Sequence, residues 1–103
     1  MKKLIIEVAL NEYVERSEHP DVPLSTEEIA EQASECVAAG AAIVHFHPRP
    51  SDPNSKPYAL AEDVEAYIEI MSAIAKRCDA ITYPTYAGVR AQDSDQPLFP
   101  HIR

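Results

Sequence analysis

Residues 41–49 read Ala41-Ala-Ile-Val-His-Phe-His-Pro-Arg49, and the reading of this run decides the fold. Gly40 precedes it and Pro48 closes it, leaving 41–47 as an apolar segment of strand length, with β-branched and aromatic residues. Side chains alternate across a strand, so His45 and His47 project to one face and Val44 and Phe46 to the other. Two further runs of the same kind, 4–10 and 80–86, stand on either side of it in the chain. The three begin about 38 residues apart, which is the spacing of a repeated strand–loop–helix unit.

The intervening segments read as helices. The chain has nine prolines and only two glycines, and no proline falls within 26–39 or 60–78. Ser25 stands three residues before Glu28, the spacing of a capping box in which each side chain satisfies the other's backbone N–H. Ile29, Ala33, Cys36 and Val37 then form one apolar stripe, and Gly40 supplies the stop. In the second segment Leu60, Val64, Tyr67, Met71, Ile74 and Ala75 form the stripe, with Lys76 and Arg77 at its end. Strands joined in sequence by helices pair in parallel through right-handed crossovers. The expected architecture is β-α-β-α-β, the opening of a parallel α/β fold. Both helices then cover one face of the sheet, and the face bearing Ile43, His45 and His47 has nothing to pack against.

Composition narrows the function classes. Seventeen acidic against nine basic residues give a formal charge of −8, the opposite of a nucleic-acid-binding face. No apolar run approaches the roughly 20 residues of a membrane span. The first 17 residues break their apolar stretch at Glu7 and carry no cleavage signature, so a cytoplasmic protein is expected. Cys36 and Cys78 make neither a disulfide framework nor a metal motif and read as small buried hydrophobes.

The chemistry concentrates at the carboxyl end of the second strand, where parallel α/β folds gather their sites. His45 and His47 there suit a divalent metal, zinc first, or stand as a pair of partly exposed histidines. Glu12, after the first strand, reaches the same rim or is a solvated loop acid. Glu7 shares a face with Ile5, Ala9 and Asn11, where it pairs with a cation or serves as ligand or base. Arg49 is a candidate clamp for a carboxylate or phosphate, or a surface charge. The Thr85 hydroxyl meets a ligand at the rim, or simply ends the third strand after Pro84. His19 and His101 lie in proline-flanked loops and take no role.

Taken in order, Leu10-Asn-Glu-Tyr13, the segment from His19 to Ala30, Ala39-Gly-Ala-Ala-Ile-Val-His-Phe-His47 with Arg49, and Tyr83-Pro-Thr-Tyr86 resemble the amino-terminal part of β-keto acid cleavage enzymes of the 3-keto-5-aminohexanoate type. The likeness runs to about Gly88. It implies a TIM (β/α)8 barrel, of which residues 1–103 are the truncated amino-terminal portion of a single domain. It also implies a zinc-dependent Claisen-type exchange in which a β-keto acid and acetyl-CoA become acetoacetate and a new acyl-CoA. Carried over, His45 and His47 are zinc ligands, and Glu12, Thr85 and Arg49 contact substrate. The family's third ligand, a glutamate, and its catalytic arginine–aspartate pair have no counterpart here. No catalytic residue is therefore assigned within the chain, and the chain alone is expected to be inactive. The resemblance further implies a homo-oligomer acting on small molecules. Two other readings stay open: a metal-dependent amidohydrolase-like enzyme, since strand-end His-x-His pairs occur there too, and a non-catalytic remnant or assembly module held by a partner over its open sheet face.

Overall fold

The structure, a computed structural model, describes residues 2–12, 14–48 and 60–83, with 60–63 described through their backbone alone. Its elements follow the expected order: β1 (Glu7–Ala9), α1 (Thr26–Ala38), β2 (Ile43–His45), α2 (Leu60–Arg77) and β3 (Ile81–Thr82). The strands form one parallel sheet in the order β1-β2-β3, with Glu7 beside Ile43, Ala9 beside His45, and Ile43 beside Ile81. The strands are shorter than the apolar runs that contain them. Residues 2–5 lie outside the ladder and are exposed, Leu4 at 85%. Residues 84–86 of the third run lie outside the described residues. The β-α-β-α-β unit is compatible with the opening of a barrel.

Helix α1 begins as its sequence dictates. The Ser25 side chain accepts from the Glu28 N–H, and the Glu28 carboxylate accepts from the N–H groups of Ser25 and Leu24. It ends in paired bonds, Gly40 N–H to the Val37 carbonyl and Ala41 N–H to the Cys36 carbonyl, which satisfy two of the last carbonyls. Gly40 has φ +117°, a conformation that residues with a Cβ adopt at a cost.

The core lies between the helices and one sheet face. Ile29, Ala30 and Ala33 of α1, Val44 and Phe46 of the second run, and Tyr67, Ile70 and Ile74 of α2 form a single buried cluster. Phe46, Ile29, Ile74 and Val44 are fully buried, and each such side chain contributes about 1.5–3 kcal/mol of transfer free energy. Two parts of the expected stripes differ. Ile70 takes the buried place on α2 and Ala75 faces solvent, because burial follows 64, 67, 70 and 74. Cys36 and Cys78 are half-buried and not among the buried core residues, and Cys78 packs against the core from its margin. Burial pushes the Cys78 thiol above its ordinary pKa, with the Asp79 carboxylate adding to the effect. Arg77, at the end of α2, donates to Glu27 at the start of α1 and ties the two helices together at the surface.

On the opposite face Ile5, Ile81 and Tyr83 are exposed, as expected of a sheet with both helices on one side. His47 is the exception. It is buried, because the chain after β1 folds over it.

Candidate metal centre

The site forms where β1 and β2 end. Ala9 pairs with His45, and the Leu10 N–H donates to the His45 carbonyl at 3.0 Å. Beyond that point the Asn11 side chain takes over from the backbone. Its Nδ2 donates to the His47 carbonyl at 2.9 Å and its Oδ1 accepts the His47 N–H at 2.8 Å. The same Nδ2 donates to the Pro23 carbonyl at 3.1 Å, which draws in the segment leading to α1. A primary amide carries the donor and acceptor of a peptide unit, so Asn11 extends the strand pairing by one step. It is 2% exposed. This residue fixes the height of His47 and the direction of Glu12, the next residue in the chain.

Glu12 turns inward on a backbone with φ +39°, the one positive φ at a non-glycine residue among those described. Its carboxylate reaches His45 Nε2 at 3.3 Å and His47 Nε2 at 3.1 Å. The two Nε2 atoms are 3.2 Å apart, with the imidazole rings nearly perpendicular and their centroids 5.0 Å apart. The ligand atoms of Glu12, His45 and His47 all lie within 4.8 Å of one another, a group able to hold a metal ion. Two imidazole nitrogens and a carboxylate oxygen are donors that zinc and related divalent ions accept. The donor set therefore fits the metal that the His-x-His spacing suggests.

A second layer holds His45. The Tyr83 ring stacks on it at 5.2 Å and 29°, and the Tyr83 hydroxyl donates to the Glu7 carboxylate. That bond, followed by burial and the negative charges of Glu7 and Glu12, raises the Tyr83 pKa and keeps the phenol protonated. His45 Nδ1 is buried without a hydrogen-bond partner among the described residues.

Of the sequence-derived candidates, the structure brings Glu12, His45 and His47 to one point and gives Glu7 a partner in Tyr83. Arg49 and Thr85 lie outside the described residues. The sequence reading missed Asn11 and Tyr83 as supports of the site. An amide at a strand end beside an acid was the available signal for Asn11; the stacking of Tyr83 left none.

A model of the beta-keto acid cleavage enzyme family matches residues 3–102. The chain belongs to that family. Among its curated members, the 3-keto-5-aminohexanoate cleavage enzyme of Fusobacterium nucleatum is 36% identical over 90 residues, covering 85% of this chain and 31% of the relative. The enzyme of the same name from Acetoanaerobium sticklandii is 31% identical over 102 residues, covering 97% of this chain and 36% of the relative. The chain thus spans about a third of the length of these beta-keto acid cleavage enzymes. No helix among the described residues is long and apolar enough to cross a membrane.

Proposed function

We propose that this chain forms the metal-binding opening of a zinc-dependent enzyme that exchanges acyl groups between a β-keto acid and acetyl-CoA. The acyl group of the keto acid passes to CoA, and the acetyl group takes its place to give acetoacetate. The observation that carries this reading is the convergence of His45 and His47 Nε2, 3.2 Å apart, at the carboxyl end of β2 in a chain of this family. Zinc, when bound, supplies a Lewis acid that polarises the keto oxygen and stabilises the negative charge developing there. The protein's own groups orient that acid. Asn11 sets the His47 backbone, and Tyr83 stacks on His45. Arg49 and Thr85 follow the two strand ends that flank the site and are assigned to the substrate. Exposed Leu4, Ile5 and Ile81 support burial of the open face against further protein, as a completed barrel or a homo-oligomer would provide. Two free cysteines and an acidic chain suit a reducing cytoplasm.

The reading is tested in a chimera in which residues 1–103 replace the matching segment of the Fusobacterium relative. The expected result is exchange of acetyl-CoA and 3-keto-5-aminohexanoate into acetoacetate and a new acyl-CoA, lost on His45→Ala. A folded chimera that exchanges equally well with and without His45 would overturn the assignment.

A further inference from the structure

We infer that the Tyr83 ring is the floor of the substrate site and limits the length of the side group that the keto acid can carry, with Glu7 as the tether that holds the ring in place. This role rests on the acyl-exchange reading and adds to it the residue that selects the acid by size.

The path of the side chain is the first support. Tyr83 directly follows β3 and stands level with His45, because Val44 pairs with Thr82. Glu7 lies in β1, two residues nearer the amino end than Ala9, the partner of His45. Strand β2 runs between the two. The bond from the Tyr83 hydroxyl to the Glu7 carboxylate therefore carries the phenol across β2 and back toward the amino ends of the strands. On the way the ring stacks on His45, with centroids 5.2 Å apart and planes 29° from parallel. A ligand seated at the two histidines has this ring between it and the lower part of the open face.

The second support is what lies below the ring. Ile43 pairs with Glu7 on one side and Ile81 on the other, and alternation along the strands puts Ile43 and Ile81 on the face of His45 and Tyr83. Ile81 is exposed. The surface beneath the ring is thus apolar and suited to hydrocarbon, and the phenol stands at its entrance. A side chain held at one end by its strand and at the other by a carboxylate resists being pushed aside.

Charge supplies the third. The negative charges of Glu7 and Glu12 both act on the Tyr83 hydroxyl. Like charges repel, so the carboxylate of a keto acid is kept from this side of the site. The end of the acid that meets the ring is its side group, the part in which β-keto acids differ from one another.

The test uses the chimera carrying residues 1–103 in the Fusobacterium relative. It is offered acetyl-CoA and an equimolar mixture of two β-keto acids, one with an ethyl and one with a pentyl side group. The ratio of the two new acyl-CoA products reads the ratio of kcat/KM values, and it does not depend on how much of a variant folds. Wild type, Y83F, Y83V and Y83A are compared. Wild type should favour the ethyl acid. Each further methylene that finds an apolar place contributes about fourfold, so Y83A should shift the ratio toward the pentyl acid by about 10-fold or more. Y83V should shift it less in the same direction, and Y83F, which keeps the ring and loses only the tether, least of all. An unchanged ratio in Y83V and Y83A, or loss of exchange with both acids in every variant lacking the ring, would overturn the role of Tyr83 in selection. Exchange by wild type would in that case still uphold the acyl-exchange reading. A wild-type chimera that exchanges neither acid would overturn that reading and the role of Tyr83 with it.

Discussion

Replacing Asn11 by alanine separates the support of the site from the site itself. Asn11 makes three buried hydrogen bonds, to the His47 N–H, the His47 carbonyl and the Pro23 carbonyl. Alanine leaves all three groups without that partner in a region where Asn11 and His47 are each 2% exposed. A buried polar group left unsatisfied costs about 1–3 kcal/mol. Carbonyls tolerate such a loss better than N–H groups, which places the total near the low end, about 3–4 kcal/mol. Domains of this size are stable by about 5–15 kcal/mol, so the loss is large without unfolding the chain outright. Urea denaturation of the full chain, followed by far-UV circular dichroism, measures it. Asn11→Asp sharpens the assignment. It keeps the acceptor for the His47 N–H and turns a carboxylate oxygen toward two carbonyls, which raises the pKa of the new group in the folded state. Protonation restores a donor, so the stability deficit of Asn11→Asp should be smaller at pH 4 than at pH 7. A midpoint for Asn11→Ala that corresponds to less than about 1 kcal/mol would refute the clamp.

Three further outcomes follow from the same structure. The Arg16 guanidinium, with the Ser25 and Leu24 N–H groups, holds the Glu28 carboxyl at about 2. Because the folded pKa is lowered, its contribution is present above the ordinary carboxylate value and is lost as pH falls through about 2. Glu28→Gln should cost about 1 kcal/mol at pH 7 through the weakened cap, with the difference from wild type shrinking as thermal melts are taken from pH 5 to pH 2. Gly40→Ala should lower stability by about 1 kcal/mol, through backbone strain alone, since nothing lies within 4 Å of the added Cβ; an unchanged melting temperature would contradict this. Glu7→Gln should move the Tyr83 ionisation down toward the ordinary tyrosine value in an ultraviolet pH titration, read as the difference from the same titration of Tyr83→Phe, since the Tyr83 pKa is raised chiefly by its bond to the Glu7 carboxylate.

Much of this was legible in the residues, and the parts that were not share a cause. Local rules placed α1, because Ser25, Glu28 and Gly40 act within a few residues of one another. Period-two alternation placed His45 and His47 on one face, and their Nε2 atoms do meet. The parallel order followed from the alternation of strands and helices. Asn11 was hidden because its partners lie 12 and 36 residues away. The inward turn of Glu12 depends on one backbone dihedral in a loop, which no periodicity encodes. The burial of Ile70 in place of Ala75 shows the same limit on a smaller scale. A stripe gives the face of a helix, and the neighbouring element decides which residues at its edge are covered.

The metal assignment is tested most directly by zinc content per chain, measured by elemental analysis of the full chain purified without chelators, beside His45→Ala. The expected result is one zinc ion per wild-type chain and none in the variant. A folded wild-type chain without zinc, or a His45→Ala chain that keeps it, would contradict the assignment.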